Sequence, residues 1–357
     1  MNTVLKFPFY AKASLFLIGF YISISILSIA QDLFLPLIYA TISAILLSPV
    51  VNYLVKKKIN RAVSITCVLI IALLIVSCLI ALLSSQASLL REAWPDLTNK
   101  FELLLNQTIH WASSYFNISS REINKWIATT KSELNFSSSA LIGTTLTTLG
   151  GVLATTVLTP VYIFMLLFYQ SHLVEFIHRL FGTKNNNNVN EILTETKTVI
   201  QSYLSGLFAE FIIVAIMNIT GLLILGIEYA ILLGLVGALL NVIPYLGGAI
   251  TIVLFMIIAL VTKSPIYIFY VLTVYTFIQF VDNNYIVPKI VGSKVKLNAL
   301  TSLIAVVAGG ILWGIPGMFL SIPLIAILKI IFDHIDPLKA WGFLLGNITP
   351  VTKQKSR

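Results

Sequence analysis

The chain has 357 residues, of which 58% are hydrophobic and only 10% are charged, and its mean hydropathy is +0.95. A soluble globular domain carries about 25% charged residues, so this composition excludes a soluble protein and indicates an integral membrane protein with several spans. The net charge of +9 does not indicate a nucleic-acid partner, because the excess Lys and Arg of a membrane protein collects in its cytoplasmic loops.

Three apolar runs fill the first 84 residues and predict an N-terminal three-span unit, residues 1–84. A span needs about 20 mostly apolar residues, and we place spans at residues 13–30, 33–55 and 62–84. No small-residue cleavage site follows the first run, so we predict that it is retained. Four cations lie between the second and third spans: Lys56, Lys57, Lys58 and Arg61. They place this loop, and with it the N-terminus, in the cytoplasm.

Residues 85–140 are polar, carry charges of both signs and follow an odd number of spans, so we predict a small extracytoplasmic helical lobe. Apolar residues recur every three or four positions from Leu90 to Tyr115, which indicates one helix with an apolar stripe. Ser119 and Glu122 fit a capping box that starts a second helix. The stripe could pack within the chain or against a neighbouring subunit.

Residues 141–204 are predicted to hold a fourth span, at residues 141–170, and a cytoplasmic amphipathic helix. Apolar residues of one helical face run from Val189 to Tyr203, so we expect this helix to rest on the membrane surface. A fifth span follows at residues 205–226 and leads outward.

Two further apolar segments, residues 229–262 and 298–331, have the wrong length for ordinary spans. Each has 34 residues, or about 51 Å of helix, which is too long for one span and too short for two. Each is interrupted near its middle, in the stretches NVIPYLGGAI and GGILWGIPG, and Pro316 follows Pro244 by 72 residues. Because Pro ends a helix and Gly permits tight turns, we predict two helical hairpins.

The positive charges decide how these hairpins lie. With a sixth span at residues 265–281 and two re-entrant hairpins, the loop at residues 282–296, which carries three lysines, lies inside, as does the basic tail at residues 336–357. The hairpins then enter from opposite faces as an inverted repeat, a transporter plan with a substrate site at the midplane. We thus predict an all-α polytopic membrane protein with about six full spans, two re-entrant hairpins and a transport core at residues 205–335.

The interrupted tips supply the candidate substrate-binding or gating residues, since exposed backbone at membrane depth must be buried in protein or line a wet cavity. These candidates are Asn241, Pro244, Tyr245, Gly247, Gly248, Trp313, Gly314, Pro316 and Gly317. Alternatively, Pro and Gly here only allow tight packing. We expect Pro244→Ala and Gly247→Leu to stop transport while leaving folding and assembly largely intact.

Few ionisable residues lie in the apolar runs, and such residues are functional candidates because a charge in the bilayer is costly. Glu210 lies about one turn inside the fifth span, and Asp282 ends the sixth span beside Asn283, so these three are the candidates for coupling a proton or a sodium ion. Both carboxylates could instead be interfacial and merely solvated. Four uncharged polar residues could bind a polar substrate or tie helices together: Asn218, Asn241, Tyr245 and Gln279.

Other kinds of chemistry find no support in the sequence. Cys67 and Cys78 lie eleven residues apart in one apolar run, too far to bridge along a helix. The four histidines share no ligand spacing, so no metal site is predicted. No nucleotide-binding, nucleophile-elbow or zinc-protease motif is found. We therefore predict no enzymatic activity and no cofactor.

Three stretches of the chain carry a family resemblance: IEYAILLGLVGALLNVIPYLGG, DNNYIVPKIVG and GGILWGIPGMFLSIPLIAILK. They resemble the autoinducer-2 exporter family, a family of permeases, and the resemblance covers most of the chain and is strongest over residues 203–329. It implies a bacterial inner-membrane protein that assembles as an oligomer and either exports the quorum-sensing signal autoinducer-2 or exchanges sodium for protons. The chain departs from the family at Gly206-Leu207, where many relatives carry Gln after the glycine, and Glu210 follows one turn later.

The leading hypothesis is a secondary transporter that moves a small polar metabolite, such as autoinducer-2, outward by alternating access, driven by an ion or substrate gradient. The alternatives are a sodium–proton antiporter, a passive channel, and a membrane scaffold that transports nothing. The expected partners are the lipid bilayer, a small-molecule substrate, Na+ or H+ and further copies of the chain, with no nucleic acid. We expect a multi-pass protein of the bacterial inner membrane with both termini in the cytoplasm.

Overall fold

The computed structural model describes residues 8–116, 125, 129, 158–181, 186–244, 246–291 and 296–347. Its α-helices are α1 (Phe9–Ile29), α2 (Gln31–Lys56), α3 (Arg61–Phe116), α4 (Leu158–Phe168), α5 (Gln170–Phe181), α6 (Asn186–Ile224), α7 (Ala230–Asn241), α8 (Leu246–Thr262), α9 (Ile266–Val281), α10 (Ala299–His334) and α11 (Lys339–Leu345). A π-helix, Asp282–Val291, continues α9, and the one extended pairing among these residues is an isolated bridge between Leu297 and Gly346. The predicted all-α class is confirmed.

Six of the described helices are long and apolar enough to cross a membrane: α1, α2, α3, α6, α9 with its π-helical continuation, and α10. The first two follow the predicted spans closely, α3 begins within one residue of the predicted third span, and these boundaries have local causes. Asp32 lies in the first turn of α2, where a carboxylate is favourable, and α2 ends in the basic run at Lys56. Helix α3 begins after Asn60, whose Oδ1 accepts a hydrogen bond from the Ala62 backbone N–H at 2.9 Å.

Helix α3 is longer than the predicted third span. It runs unbroken for 56 residues, so the span and the first helix of the predicted outer lobe are one helix. Neither Gly nor Pro stands between residues 84 and 90, and Pro95 is accommodated inside the helix. Leu90 packs against a buried apolar cluster that contains Leu233 and Phe255, and Leu97 is buried. Part of the apolar stripe therefore packs within the chain. The second lobe helix, predicted from Ser119, lies outside the described residues.

The middle of the chain also differs in detail from the sequence-based picture. The fourth span is described only from Leu158; helix α4 ends at Phe168 and α5 leaves it at 67°, close to the predicted end of the span. The surface helix predicted from Val189 is the first part of α6, which continues without a break into the fifth span. The single Gly206 at the predicted boundary costs a helix about 1 kcal/mol and does not end it.

The first broken segment is a helical hairpin, as predicted. Helices α7 and α8 are separated by a four-residue break, residues 242–245, and pack against each other. The Oγ1 of the fully buried Thr251 donates a hydrogen bond to the Gly237 carbonyl at 3.3 Å. A Cβ added at Gly237 would lie 2.7 Å from Thr251 Cγ2, so only glycine allows this close approach.

The second broken segment folds back on itself inside α10. Trp313 (φ −137°, ψ 16°) and Gly314 (φ 63°, ψ −145°) leave the helical conformation, and the positive φ of Gly314 is one that glycine adopts freely. In a continuous helix, residues 309 and 317 would be about 12 Å apart. Here a Cβ on Gly317 would come within 2.0 Å of the Gly309 carbonyl oxygen, so the two halves of α10 pack against each other as a second hairpin.

The chain divides into two compact units, each built from separate stretches of sequence. The first unit contains residues 1–66, 155–203 and 294–357, and therefore α1, α2, α4, α5, the second hairpin and α11. The second unit contains residues 67–154 and 204–293, and therefore most of α3, the first hairpin and α9. In the second unit a buried apolar core joins the first hairpin to α6 and α9, with Leu222, Leu233, Phe255 and Val271 among its most buried members.

Candidate functional site

A polar cluster lies within the second unit, where the first hairpin meets α6 and α9. Glu210 comes from α6, Asn241 is the last residue of α7, and Asp282 directly follows α9. Glu210 is only 6% exposed and Asp282 only 2% exposed. The two carboxylates are therefore buried inside the unit rather than solvated, and the fold brings these three sequence candidates together.

The amide of Asn241 connects the two carboxylates. Its Nδ2 donates one hydrogen bond to Glu210 Oε1 at 3.2 Å and another to Asp282 Oδ2 at 2.8 Å. Because both oxygens contact the same nitrogen, they lie within about 6 Å of each other. The second carboxylate oxygen of Asp282, Oδ1, is buried and has no hydrogen-bond partner among the described residues.

A second layer of polar groups holds this arrangement in place. Gln279 Nε2 donates to Asn241 Oδ1 at 3.0 Å and to the Tyr275 hydroxyl at 2.6 Å. The Tyr275 hydroxyl in turn donates to the Gly248 carbonyl at 3.0 Å. Asn283, a sequence candidate for ion coupling, donates to Gln279 Oε1 at 3.3 Å, so two residues of the network, Gln279 and Asn241, separate it from the carboxylates. The network thus holds the hairpin on both sides of its break, at Asn241 and at Gly248.

The spacing along α9 explains why its polar groups share one face. Tyr275, Gln279 and Asn283 follow one another at intervals of four residues, which places them in line on a helix. The π-helix that begins at Asp282 widens the helix at this point, and such segments are frequent at functional sites.

The charges of the cluster are not balanced by protein cations. Among the described residues, no Lys, Arg or His forms an ion pair with Glu210 or Asp282. Two ionised carboxylates this close in a buried site repel each other strongly. The described residues also offer no group of three or more His, Cys, Asp or Glu side chains placed to hold a metal ion. A proton or a cation bound between the two carboxylates would relieve this repulsion.

The remaining candidates of the first hairpin surround its break. Pro244 lies in the break and is half-buried, whereas Tyr245 lies outside the described residues. A Cβ on Gly247 would meet the Leu240 carbonyl oxygen at 1.8 Å, and one on Gly248 would come within 3.3 Å of Gln279 Nε2. The substitution Gly247→Leu would therefore disrupt the hairpin itself, contrary to the expectation that it leaves folding intact.

The candidates of the second hairpin lie together at its tip, in the first unit. The indole Nε1 of Trp313 donates to the Leu27 carbonyl at 3.0 Å. The Tyr39 hydroxyl donates to the Pro316 carbonyl at 3.2 Å. Gly314 is exposed and has open space where a Cβ would stand, and Gly317 lies against Gly309. These two contacts anchor the tip through backbone carbonyl groups, one of Leu27 and one of the tip itself, and the Tyr39 hydroxyl is the one ionisable group in them.

Sequence reasoning missed the role of Tyr275 and named Gln279 only as a polar residue that could tie helices together. One sequence signal could have singled out the carboxylate pair. Asp282 follows Glu210 by 72 residues, the same shift that relates Pro316 to Pro244. The two carboxylates thus hold matching positions, each on the helix that precedes a hairpin.

Comparison with known proteins places the chain in a family of transporters. Residues 11–336 match the family described as "AI-2E family transporter". The chain is 25% identical to YueF of Bacillus subtilis (strain 168) over 322 residues, 85% of each protein, and 22% identical to YhhT of Escherichia coli (strain K12) over 333 residues, 91% of each. It is 37% identical to YrrI of Bacillus subtilis (strain 168) over 111 residues, 31% of each. All three relatives bear the name "Putative transport protein". The chain therefore belongs to the AI-2E transporter family.

Proposed function

We propose that this protein is an ion-coupled secondary transporter that exports a small polar metabolite, such as autoinducer-2, by alternating access. The observation that carries the proposal is the pair of buried carboxylates, Glu210 and Asp282, joined by the amide of Asn241 at the break of the first hairpin. This carboxylate pair lies in a multi-pass membrane protein that belongs to a transporter family.

The carboxylate pair is suited to hold the driving ion. A proton or a sodium ion would neutralise part of the excess negative charge, and Asp282 Oδ1, which has no hydrogen-bond partner among the described residues, could accept it. Ionisable groups at membrane depth commonly mark such ion pathways. Carboxylate and amide oxygens are also the hard ligands that alkali and alkaline-earth cations prefer.

The hairpin provides a way to link the ion to movement. When the pair is empty, both hydrogens of the Asn241 amide bind the carboxylates and hold the end of α7 against α6 and α9. An ion bound between the carboxylates weakens their attraction for the amide. The break at Pro244 then allows the tip to move, so that ion occupancy and hairpin position depend on each other.

A sodium–proton antiporter is the second candidate, because the same carboxylate pair could exchange the two ions without an organic substrate. The two candidates differ in what crosses the membrane. The channel and scaffold hypotheses gain no support from the cluster, since neither needs a shared ion site.

The decisive experiment is flux through the purified protein in liposomes loaded with autoinducer-2, under an imposed proton or sodium gradient. We expect gradient-dependent efflux from the unaltered protein, and less than about one-tenth of it from Asp282→Asn and Glu210→Gln, because each substitution removes one charge of the ion site. Glu228→Gln, which changes an exposed carboxylate of the same unit, is the matched control and should transport normally.

Two results would contradict this proposal. Efflux that depends on a gradient but survives both substitutions would remove the carboxylate pair from the mechanism. Sodium movement against a proton gradient, with no efflux of autoinducer-2, would favour the antiporter.

We further propose that the protein lies in the bacterial inner membrane as a homo-oligomer, with both termini in the cytoplasm and the hairpins entering from opposite faces. Helix α1 has no buried residue among those described, so its apolar surface is open to lipid or to another copy. Labelling of single cysteines tests the topology, in a background where the exposed Cys67 and Cys78 are replaced by Ala. Ser264→Cys should react from outside and Ser293→Cys from inside; the reverse for Ser293→Cys would overturn the inverted repeat.

A further inference from the structure

The first unit contains a cavity of about 680 Å³ between α2, the end of α4, α5 and the first part of α6. Its size lies within the range of about 300–1,000 Å³ that is typical of small-molecule sites. Leu173, Val174 and Ile177 of α5 form one apolar wall, and Thr194, Lys197 and Gln201 of α6 line it with polar groups. The cavity is separate from the carboxylate pair, which belongs to the second unit.

Lys197 gives this cavity a positive charge. It is the one charged residue among the described lining residues, and within the described chain it forms no ion pair. The nearby carboxylates of α6, Glu191 and Glu195, point elsewhere, since each has an oxygen 3.8 Å from Nε2 of His334. A half-buried lysine beside an apolar wall is a site for an anionic group that carries an apolar tail.

A second cation contacts the wall of the cavity. Arg61 donates from Nε to the Leu167 carbonyl at 3.1 Å and from Nη2 to Gln170 Oε1 at 3.3 Å, and both Leu167 and Gln170 line the cavity. These acceptors are neutral, so they leave the charge of the guanidinium uncompensated. The two cations reinforce the preference for an anion.

Helix α5 indicates that this cavity lies at the membrane surface. The helix turns away from α4 by 67°, and several of its large apolar side chains are exposed, among them Phe176 (58%) and Leu180 (65%). The same helix carries an exposed ion pair between Glu175 and Arg179. A helix with exposed apolar residues and charged residues lies in the interface between headgroups and acyl chains.

We propose that this cavity binds an anionic phospholipid, with its phosphate at Lys197 and one acyl chain along Leu173 and Ile177. Basic pockets between membrane helices on the cytoplasmic side are suited to anionic headgroups, and the apolar wall explains why a lipid fits better than a free anion. The site does not depend on which solute the protein transports.

The test uses the full-length protein in nanodiscs that contain phosphatidylglycerol with a photoactivatable group at the end of its acyl chain. We expect adducts on the peptides of α5 and of residues 190–201, and excess unlabelled phosphatidylglycerol should suppress them while phosphatidylcholine should not. Lys197→Ala should reduce these adducts roughly tenfold, because it removes a charge-assisted hydrogen bond. Lys289→Ala, at an exposed lysine of the other unit, is the matched control and should leave them unchanged.

A second variant examines the apolar wall without altering charge. Ile177→Trp should fill part of the cavity and also remove the adducts, while the thermal unfolding midpoint shows that both variants remain folded. Adducts of equal density on α1 and α3, or adducts that survive both substitutions, would overturn the proposal. Suppression by inorganic phosphate as effective as that by phosphatidylglycerol would also overturn it, since the site would then take a small anion.

Discussion

The two hairpins are similar in length and each has a proline near its break, but different contacts hold their tips. The first hairpin is joined to α6 and α9 by side chains, through Asn241 and the Gln279–Tyr275 pair. The second hairpin is held by close backbone approach at Gly309 and Gly317 and by hydrogen bonds to carbonyl groups. Both hairpins thus have a glycine packed tightly against backbone near the break, and the first also has a polar network at its tip.

The 72-residue offset between the two halves of the repeat shows which residues the hairpins share and which they do not. It relates Glu210 to Asp282 and Pro244 to Pro316, but it relates Asn241 to Trp313. A proline near the chain reversal is therefore present in both halves, whereas the side-chain amide that contacts the carboxylates is present in only the first. A repeated architecture can therefore carry a site that is not repeated, and we expect the first hairpin to respond to ions and the second not to respond.

The largest expected effect is on the stability of the second hairpin. Gly317→Ala places a Cβ 2.0 Å from the Gly309 carbonyl oxygen, a distance that the rigid backbone cannot relieve without moving. We expect a loss of at least about 3 kcal/mol in the free energy of unfolding, the upper range for overpacking. The thermal unfolding midpoint in detergent measures this loss.

Gly19→Ala is the matched control for this substitution, because nothing lies within 4 Å of the added Cβ in the middle of α1. It should leave the midpoint unchanged or raise it slightly, since Ala is the better helix former. A Gly317→Ala protein that unfolds at the same temperature as the unaltered protein would contradict the packed joint at the second hairpin.

The next effect concerns ion affinity at the first hairpin. Asn241→Leu removes the amide that stabilises the ion-free carboxylates, so the pair should retain its ion more tightly. Hydrogen bonds to charged groups contribute about 1.5–3 kcal/mol, and we therefore expect the half-saturating concentration of the driving ion to fall by roughly tenfold or more. Transport should slow as well, because release of the ion becomes harder. The ion dependence of flux in liposomes measures both changes.

Asn218→Leu provides a control with the same change of side chain in the same unit. Asn218 is 1% exposed, and neither atom of its side-chain amide has a hydrogen-bond partner among the described residues. Replacing it should not alter the ion dependence of flux. If Asn241→Leu and Asn218→Leu shift the ion dependence equally, the amide of Asn241 has no special role and the contrast between the hairpins is lost.

Much of the fold could be predicted because it rests on local signals. Apolar run lengths located the spans, and the Pro and Gly residues near Pro244 and Pro316 located the two reversals. The observed helix boundaries differ from the predicted ones where the boundary signal was weak. The polar stretch after residue 84 suggested a separate lobe, and the amphipathic pattern before Ser205 suggested a separate surface helix, but neither place has a residue that stops a helix. Helices α3 and α6 therefore continue through these boundaries.

The residues of the candidate site could be predicted from the sequence, but the hydrogen bonds between them could not. Rare ionisable residues in apolar runs drew attention to Glu210 and Asp282, and an uncharged amide in such a run drew attention to Asn241. Their mutual contact depends on how three helices pack, which no spacing along one helix encodes. Tyr275 was missed because a tyrosine in an apolar helix is commonplace, and only its hydroxyl bonding to Gly248 distinguishes it.

The smallest effects come from two substitutions that each remove one hydrogen bond and keep the ring. Tyr275→Phe removes the bond to the Gly248 carbonyl, and Trp313→Phe removes the bond to the Leu27 carbonyl. Each should lower the free energy of unfolding by about 1 kcal/mol. Only Tyr275→Phe should also shift the half-saturating ion concentration, by up to about fivefold, because its hydroxyl is linked through Gln279 to Asn241. Equal shifts from both variants would mean that the second tip also responds to the ion, and the two hairpins would then act as one ion-sensitive element rather than as a site and a joint.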